Sequence, residues 1–154
     1  MRDQTKDAIQ KTKVAIIGAG FGGLAMSIRL LQSQINDFVI LEKTNDVGGT
    51  WRENQYPGAA CDVQSHMYSL SFAPKTDWSK RYAEADEIFD YIQEITTQYK
   101  LRDYCKFNHE VTNATFDENR NVWTLKFKDQ PTLEAQFVIF ASGPLHVPQI
   151  PHLK

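Results

Sequence analysis

The architecture of the chain follows from the stretch Val14-Ala15-Ile16-Ile17-Gly18-Ala19-Gly20-Phe21-Gly22-Gly23. It is an apolar run that breaks into a Gly-x-Gly-x-x-Gly pattern and continues into helical spacing. Gly18 allows a tight turn after a strand, Gly20 lets the backbone approach a pyrophosphate because it lacks a Cβ, and Gly23 lets the helix pack closely. The helix N-terminus then faces the phosphate charge. The stretch therefore predicts a strand, turn and helix that bind a dinucleotide.

An acidic residue, Glu42, ends a second apolar run formed by residues 38–41. It lies about 20 residues after Gly23, where a carboxylate that binds the ribose of a dinucleotide is expected. With strands predicted at residues 13–17 and 37–42 and a helix at 22–34, the chain opens with a right-handed βαβ unit. A glycine pattern alone is weak evidence, but the strand, the helix and the acid together predict a dinucleotide site.

Composition excludes several other classes of protein. The 154 residues suit one domain, and 42% hydrophobic with 23% charged residues is typical of a soluble globular protein. A net charge of −2 provides no general attraction to nucleic acid or to an anionic membrane surface. Residues 1–13 lack the apolar core of a signal peptide. Cys61 and Cys105 lie far apart, so we expect no metal site, reduced thiols and a cytoplasmic location.

The rest of the chain predicts one further helix and three further strands. Residues 85–100 return to helical spacing, and strand-like runs follow at 106–116, 122–128 and 133–141. Residues 48–80 have no clean period, and so long an irregular segment in a compact domain is usually functional. We therefore expect an α/β fold of three layers, Rossmann-like, with a parallel sheet, a helix on each side and an antiparallel β-meander crossing it.

The segment after Glu42 favours FAD over a nicotinamide dinucleotide, which the first βαβ unit alone does not distinguish. It contains Val47-Gly48-Gly49-Thr50-Trp51, a second glycine pair beside a large aromatic residue. Two glycines let the backbone lie against a flat ligand, and Trp51 is expected to cover a ring or to pack beneath it. The predicted meander also favours a flavoprotein. Lys43 is weak evidence for the 2′-phosphate of NADP.

Several further motifs lie along the chain, and they are specific when taken together. They are Tyr56-Pro57-Gly58-Ala59, Cys61-Asp62, Tyr68-Ser69-Leu70-Ser71-Phe72, Trp78-Ser79-Lys80-Arg81-Tyr82-Ala83 and Phe140-Ala141-Ser142-Gly143-Pro144-Leu145. With the glycine motif, Glu42 and Gly48-Gly49-Thr50-Trp51, they make the chain similar to class B flavin-dependent monooxygenases, and within that class to the Baeyer–Villiger branch. The resemblance covers nearly the whole chain after residue 12.

The resemblance implies a set of site residues. The cofactor-binding residues would be Gly18, Gly20, Phe21, Gly22, Gly23, Glu42, Lys43, Gly49, Thr50, Trp51, Asp62, Ala141, Ser142 and Gly143. The first glycines would hold the FAD pyrophosphate, and Glu42 would accept a hydrogen bond from the adenosine ribose. Asp62 would be the catalytic residue, near the isoalloxazine and the nicotinamide. Residues 141–143 stand where the family usually has Ala-Thr-Gly, and serine keeps the hydroxyl.

The resemblance also implies an activity and a domain plan. The activity is oxygenation of a small-molecule ketone or soft heteroatom through a flavin C4a-peroxide, with FAD, NADPH and O₂. Residues 1–12 would be a polar tail, 13–143 the N-terminal portion of an FAD-binding domain, and 144–154 a linker toward a missing NADP-binding domain. Such an unfinished domain would leave one flank exposed, open to self-association or to another partner.

Two alternatives stay open at this stage. In the first alternative, the chain is a truncated, non-catalytic FAD-binding module. In the second, it is part of another FAD-dependent oxidoreductase, such as a disulfide reductase or an amine oxidase. The absence of Cys-x-x-Cys or Cys-x₄-Cys spacing argues against a disulfide reductase. The block from Trp51 to Asp62 argues, by resemblance, against an amine oxidase.

Overall fold

A computed structural model describes residues 9–147 and 149–151. Six strands lie in these residues: β1 Gln10–Ile17, β2 Phe38–Leu41, β3 Cys105–Lys106, β4 Val111–Asp117, β5 Val122–Phe127 and β6 Leu133–Phe140. The α-helices in the same residues are α1 Phe21–Gln32, α2 Thr50–Glu53 and α3 Ala85–Gln98, and single 3₁₀ turns span Ser65–Met67 and Leu101–Tyr104. Most of the predicted N-terminal tail, together with Pro148 and residues 152–154 of the predicted linker, lies outside the described part.

All six strands form one mixed sheet in the order β3-β2-β1-β6-β5-β4. The first four strands in that order are parallel, with Ile16 opposite both Ile40 and Ile139. β5 and β4 continue the sheet as an antiparallel hairpin that joins β6 at Leu133–Ala135. The predicted α/β class, parallel sheet and meander are therefore present.

Both long helices pack on the same face of the sheet. Leu24 of α1 and Ile92 of α3 belong to one buried cluster with Ile16 and Ile40. The chain runs from β1 to β2 to β3 in one direction across the sheet, and right-handed crossovers that proceed in one direction place their connections on one face. The predicted arrangement with a helix on each side is therefore wrong.

The β-meander consists of β4, β5 and the start of β6. It packs against the face of the parallel strands that is opposite the helices, and it forms the third layer. Ala15 and Leu41, which alternate with the helix-facing residues, form a second buried cluster with Leu125 and Leu133. The order of layers is thus helices, parallel sheet and meander. The three predicted layers are confirmed, although the meander takes the place that was expected for a helix.

Two segments differ in detail from the sequence prediction. The predicted strand 106–116 is divided into β3 and β4 by a turn in which Asn108 has a φ of +57°. Residues 48–80 are irregular as expected, except for α2 and one 3₁₀ turn. Backbone hydrogen bonds tie this segment to the start of α3, from Cys61 N–H to the Ala83 carbonyl at 2.9 Å and from Ala85 N–H to the Ala59 carbonyl at 2.9 Å.

An exposed apolar flank lies along the second half of β6. Phe137 and Phe140 are 58% and 62% exposed, and β5 pairs only with the first half of the strand. Across the described ranges, no helix has both the length and the apolar character needed to cross a bilayer. Both cysteines are free thiols.

Candidate dinucleotide-binding site

Three of the predicted motifs meet at the carboxyl edge of the parallel sheet. Gly18 follows β1, Glu42 follows β2 and Ala141 follows β6. The N–H of Gly18 donates to the Leu41 carbonyl at 2.8 Å, and the N–H of Ala141 donates to the Ile17 carbonyl at 2.9 Å. In open α/β sheets, ligands bind outside this edge, at the point where the connections from two neighbouring strands run in opposite directions. The motifs therefore lie where such a site is expected.

The three motif glycines have different surroundings. A Cβ on Gly18, whose φ is +107°, would lie 2.6 Å from the Ala141 carbonyl oxygen, and a Cβ on Gly23 would lie 1.9 Å from the Gly18 carbonyl oxygen. A Cβ on Gly20 would have only the Gly49 Cα nearby, at 3.6 Å. The predicted tight turn and close helix packing are thus confirmed for Gly18 and Gly23. The open position at Gly20 leaves room for a ligand to approach the backbone.

The carboxylate of Glu42 points at the glycine loop. It is only 5% exposed, and its Oε2 accepts a hydrogen bond from the Ala19 N–H at 2.8 Å. Its Oε1 accepts from the N–H and from the Oγ1 hydroxyl of Thr44, both at 2.9 Å. The backbone of Glu42 is held by the segment 106–109, since Glu42 N–H donates to the Lys106 carbonyl and His109 N–H donates to the Glu42 carbonyl. The acid therefore has a fixed orientation.

Lys43 is exposed and lies apart from this cluster. Its Nζ is 3.4 Å from Oε1 of Glu53 in α2. A lysine that is neutralised by a neighbouring carboxylate offers little to a phosphate group. The structure therefore adds no support to the suggestion that Lys43 binds the 2′-phosphate of NADP.

The second glycine pair packs directly on the first motif. Gly49 has a φ of +53°, and a Cβ on it would lie 3.0 Å from the Gly20 Cα. The N–H of Gly48 donates to the Ala19 carbonyl at 3.0 Å. Gly49 precedes Thr50, the first residue of α2. The two glycine-rich segments, distant in sequence, form one continuous backbone surface.

Trp51 and Tyr68 form an aromatic side of the site. The Trp51 Nε1–H donates to the Tyr68 hydroxyl at 3.0 Å, and their rings meet edge to face with centroids 5.6 Å apart. Tyr68 also meets Phe21, the residue after Gly20, with centroids 5.3 Å apart. Burial raises the pKa of the Tyr68 phenol, and the charge of Asp62 adds to the shift. The phenol is therefore neutral at physiological pH.

The remaining predicted residues lie on open surface around this cluster. Asp62, Ser142 and Gly143 are exposed, and a Cβ on Gly143 would have no neighbour within 4 Å. Asp62 is linked to the cluster through its charge on Tyr68. The Cβ of Ala141 would lie 3.8 Å from a Cβ on Gly22, so residue 141 covers the glycine turn.

Sequence reasoning assigned no role to Thr44 or Tyr68. Thr44 stands two residues after the acid, a spacing at which a hydroxyl often bonds to a nearby group. Tyr68 was part of a quoted motif, but its contact with Trp51 spans an irregular segment that has no periodicity. The spacing of Thr44 from the acid could have been found in the sequence, whereas the contact of Tyr68 with Trp51 depends on the fold.

A cavity of about 340 Å³ lies at the opposite edge of the sheet. Gln10, Asp37 and Tyr104 are among its lining residues, and they belong to the amino ends of the parallel strands or lie beside them. Because it contains none of the motif glycines and does not include Glu42, we do not assign it to the dinucleotide. Within the described residues, no cluster of three His, Cys, Asp or Glu side chains could hold a metal ion.

The parallel sheet, the glycine turn after β1 and the meander define an α/β protein of the Rossmann-like class. A family model described as pyridine nucleotide-disulphide oxidoreductase matches residues 15–154. The chain belongs to this family.

Known relatives are monooxygenases. A Baeyer–Villiger monooxygenase of Streptomyces coelicolor is 41% identical over 144 residues, which are 94% of this chain and 28% of that protein. The closed structure of cyclohexanone monooxygenase gives a TM-score of 0.88 at 31% identity and covers 95% of this chain and 28% of that one. OTEMO in complex with FAD and NADP gives a TM-score of 0.85 at 29% identity, covering 93% and 28%.

These similarities confirm the resemblance to flavin-dependent monooxygenases and the predicted fold class. The name of the family includes disulphide oxidoreductases, but Cys61 and Cys105 are free thiols and the relatives just named are monooxygenases. The chain spans about 28% of the length of these relatives.

Proposed function

We propose that this chain is the FAD-binding N-terminal portion of a flavoprotein monooxygenase that uses NADPH and O₂ on ketones or soft heteroatoms. The observation that carries the proposal is the contact between the two predicted motifs, in which Glu42 Oε2 accepts a hydrogen bond from Ala19 within the glycine loop at 2.8 Å. It joins a ribose-binding acid to a phosphate-binding turn. Support comes from the relatives, which include Baeyer–Villiger and FAD-complexed enzymes.

The residues at the carboxyl edge fit an FAD molecule. The open position at Gly20 admits a pyrophosphate to the backbone, and α1 begins without an acidic residue in its first turn. The N-terminus of the helix therefore keeps its favourable interaction with an anion. Glu42 would hold a ribose hydroxyl, and residues 141–143 would border the pyrophosphate. Residues 13–143 would form this portion of the domain, and 144–154 would lead toward an NADP-binding domain.

The residues of this chain would position the flavin and shield it from water. When bound, the flavin supplies the redox and oxygen chemistry. Trp51, fixed by its hydrogen bond to Tyr68, would line the flavin side and keep water from it. Asp62 is exposed and its charge acts on Tyr68; it would place a negative charge near the flavin ring system and attract a cationic group there. The cytoplasmic location remains part of this proposal.

The proposed site is tested by titrating the purified chain with FAD and following flavin absorbance and fluorescence. Gly20→Ala is the informative variant, because the added Cβ has only one neighbour at 3.6 Å and the fold should tolerate it. We expect stoichiometric binding by the wild-type chain and a Kd at least about tenfold higher for Gly20→Ala, since the methyl group occupies the phosphate approach.

Glu134→Gln is the matched control for loss of stability. Glu134 is 6% exposed and accepts a hydrogen bond from Arg120 at 2.7 Å, at the amino end of β6. Its replacement should destabilise the fold and leave the FAD Kd unchanged. A folded wild-type chain that binds no FAD, or equal binding by Gly20→Ala, would contradict the proposed site.

We also propose that the exposed flank of β6 mediates self-association. The N–H of Ala141 points to Ile17, so by alternation Val138 and Phe140 direct their N–H and carbonyl groups to the other side. β5 does not reach that part of the strand. An apolar edge without charges is a template for pairing with another strand, and a second copy of this chain presents the same edge.

A further inference from the structure

Among residues 9–147 and 149–151, two residues donate hydrogen bonds to the Glu42 carboxylate. Ala19 N–H donates to Oε2 at 2.8 Å, while the N–H and the hydroxyl of Thr44 both donate to Oε1 at 2.9 Å. In the part of the chain that the structure describes, the ion pairs do not include Glu42. A buried charge without a cationic partner depends on its hydrogen bonds. Thr44 supplies two of the three.

These bonds make the two oxygens unequal. A carboxylate has about four acceptor positions, two on each oxygen. Thr44 fills both positions on Oε1, whereas Ala19 fills one position on Oε2. The free position therefore lies on Oε2, the oxygen that already faces the glycine loop.

The segment that carries Thr44 is itself fixed. The carbonyl of Thr44 accepts from the Asn108 N–H at 2.8 Å. The Thr44 hydroxyl has a second acceptor, the Asp46 carbonyl, at 3.1 Å. The charged and nearer Glu42 oxygen is the stronger partner for the single hydroxyl proton. The hydroxyl therefore acts as a preset donor to Oε1.

We infer that Thr44 is a positioning residue that saturates Oε1 of Glu42 and thereby selects Oε2 as the single ligand-binding oxygen. This inference rests on the proposed FAD site and deepens it. One free acceptor position suits one ribose hydroxyl donor. A phosphate group on the same ribose hydroxyl is an acceptor and an anion, so the site discriminates against it.

Two measurements test the inference, and the first needs no ligand. Amide hydrogen exchange is followed at Ala19, with the Ile16 amide of the core strand as internal reference. In Thr44→Val, which keeps the shape and loses the hydroxyl, we expect the Ala19 amide to exchange about tenfold faster while Ile16 is unchanged. Thr44→Ser restores the donor and should restore protection.

The second measurement is the FAD Kd of the same variants. We expect about a tenfold increase for Thr44→Val and recovery in Thr44→Ser. Thr97→Val is the matched control, because that hydroxyl donates to the Gln93 carbonyl on the exposed face of α3. It should change neither quantity.

The outcomes separate the two proposals. Unchanged Ala19 exchange in Thr44→Val overturns the positioning role, whether or not FAD binds. If the wild-type chain binds no FAD, the proposed function fails while the exchange data still decide the role of Thr44. If the wild-type chain and Thr44→Val bind FAD equally, Thr44 does not select the ligand oxygen.

Discussion

Individual glycines at the carboxyl edge differ in the space around them. Gly18 and Gly23 lie against carbonyl oxygens that a side chain would strike, whereas Gly20 faces open space apart from Gly49. We therefore expect a substitution at Gly23 to affect folding and one at Gly20 to affect the proposed binding of FAD. The same motif thus contains residues with separable effects.

Replacing Gly23 by alanine should destabilise the chain by at least about 3 kcal/mol, because the new methyl group would lie 1.9 Å from the Gly18 carbonyl oxygen and the helix must shift. Urea unfolding followed by circular dichroism measures the change. Gly20→Ala serves as the comparison and should unfold within about 1 kcal/mol of the wild-type chain. Equal stability of Gly23→Ala and the wild-type chain would show that the turn relaxes freely.

Sequence reasoning found the residues whose chemistry is unusual. A glycine that must lack a side chain and an acid at the end of an apolar strand have few substitutes, so their spacing together with the flanking strand and helix predicts Gly18, Gly23 and Glu42. Thr44 lies two residues after the acid, a spacing that is visible in the sequence, although only the structure shows that its hydroxyl donates to Glu42. Tyr68 contacts Trp51 across an irregular segment, so that contact is set by the fold and has no periodic signal.

At the scale of elements, the turn between β2 and α2 is tied to the 3₁₀ turn Leu101–Tyr104 that follows α3. Asp46 Oδ1 lies 2.8 Å from Nη1 of Arg102 and accepts from the Val47 N–H at 2.7 Å. Burial works to raise the pKa of Asp46, but the hydrogen bonds from Arg102 and Val47 and the charge of Arg102 outweigh it and hold the pKa below its ordinary value. The link holds the Gly48-Gly49 turn in place against Gly20.

The stability that Asp46 provides should be lost in acid. Because its pKa is depressed in the folded state, the contribution is complete above the unfolded pKa of about 3.9 and disappears as the pH falls through the folded value. Urea unfolding of the wild-type chain and Asp46→Asn should therefore show a difference at pH 7 that shrinks below about pH 4. Asp129→Asn, on an exposed turn, is the control. A difference independent of pH would rule out the charged pair as its source.

Element boundaries and layers were predicted less completely than single residues. The run 106–116 has the pattern of one extended strand, but the chain turns at Asn108. Hydrophobic periodicity does not predict this turn, because it does not depend on the direction of the chain. The location of both helices on one face follows from crossover handedness once the strand order is known. Strand order depends on contacts between distant segments, which one sequence does not display.

At the scale of the whole molecule, two stretches of strand that lack a partner on one side within the described residues differ in character. β4, at one edge of the sheet, exposes the polar side chains of Thr112 and Asn113. The free half of β6 is apolar, and Phe137 and Phe140 are mostly exposed beside it. The chain spans about 28% of the length of its relatives, and an edge of this kind is where a longer protein or a second copy would add structure.

We expect the isolated chain to associate through β6 as its concentration rises, because pairing satisfies the free backbone groups and covers the phenylalanines. Sedimentation velocity over a concentration series measures the association. Phe137→Lys places a charge on the 58%-exposed position and should weaken association at least about tenfold. Met67→Lys, at a 69%-exposed position in a 3₁₀ turn, should have no effect. If the wild-type chain stays monomeric up to about 1 mM, or if both variants weaken association equally, the β6 edge is not the self-association surface.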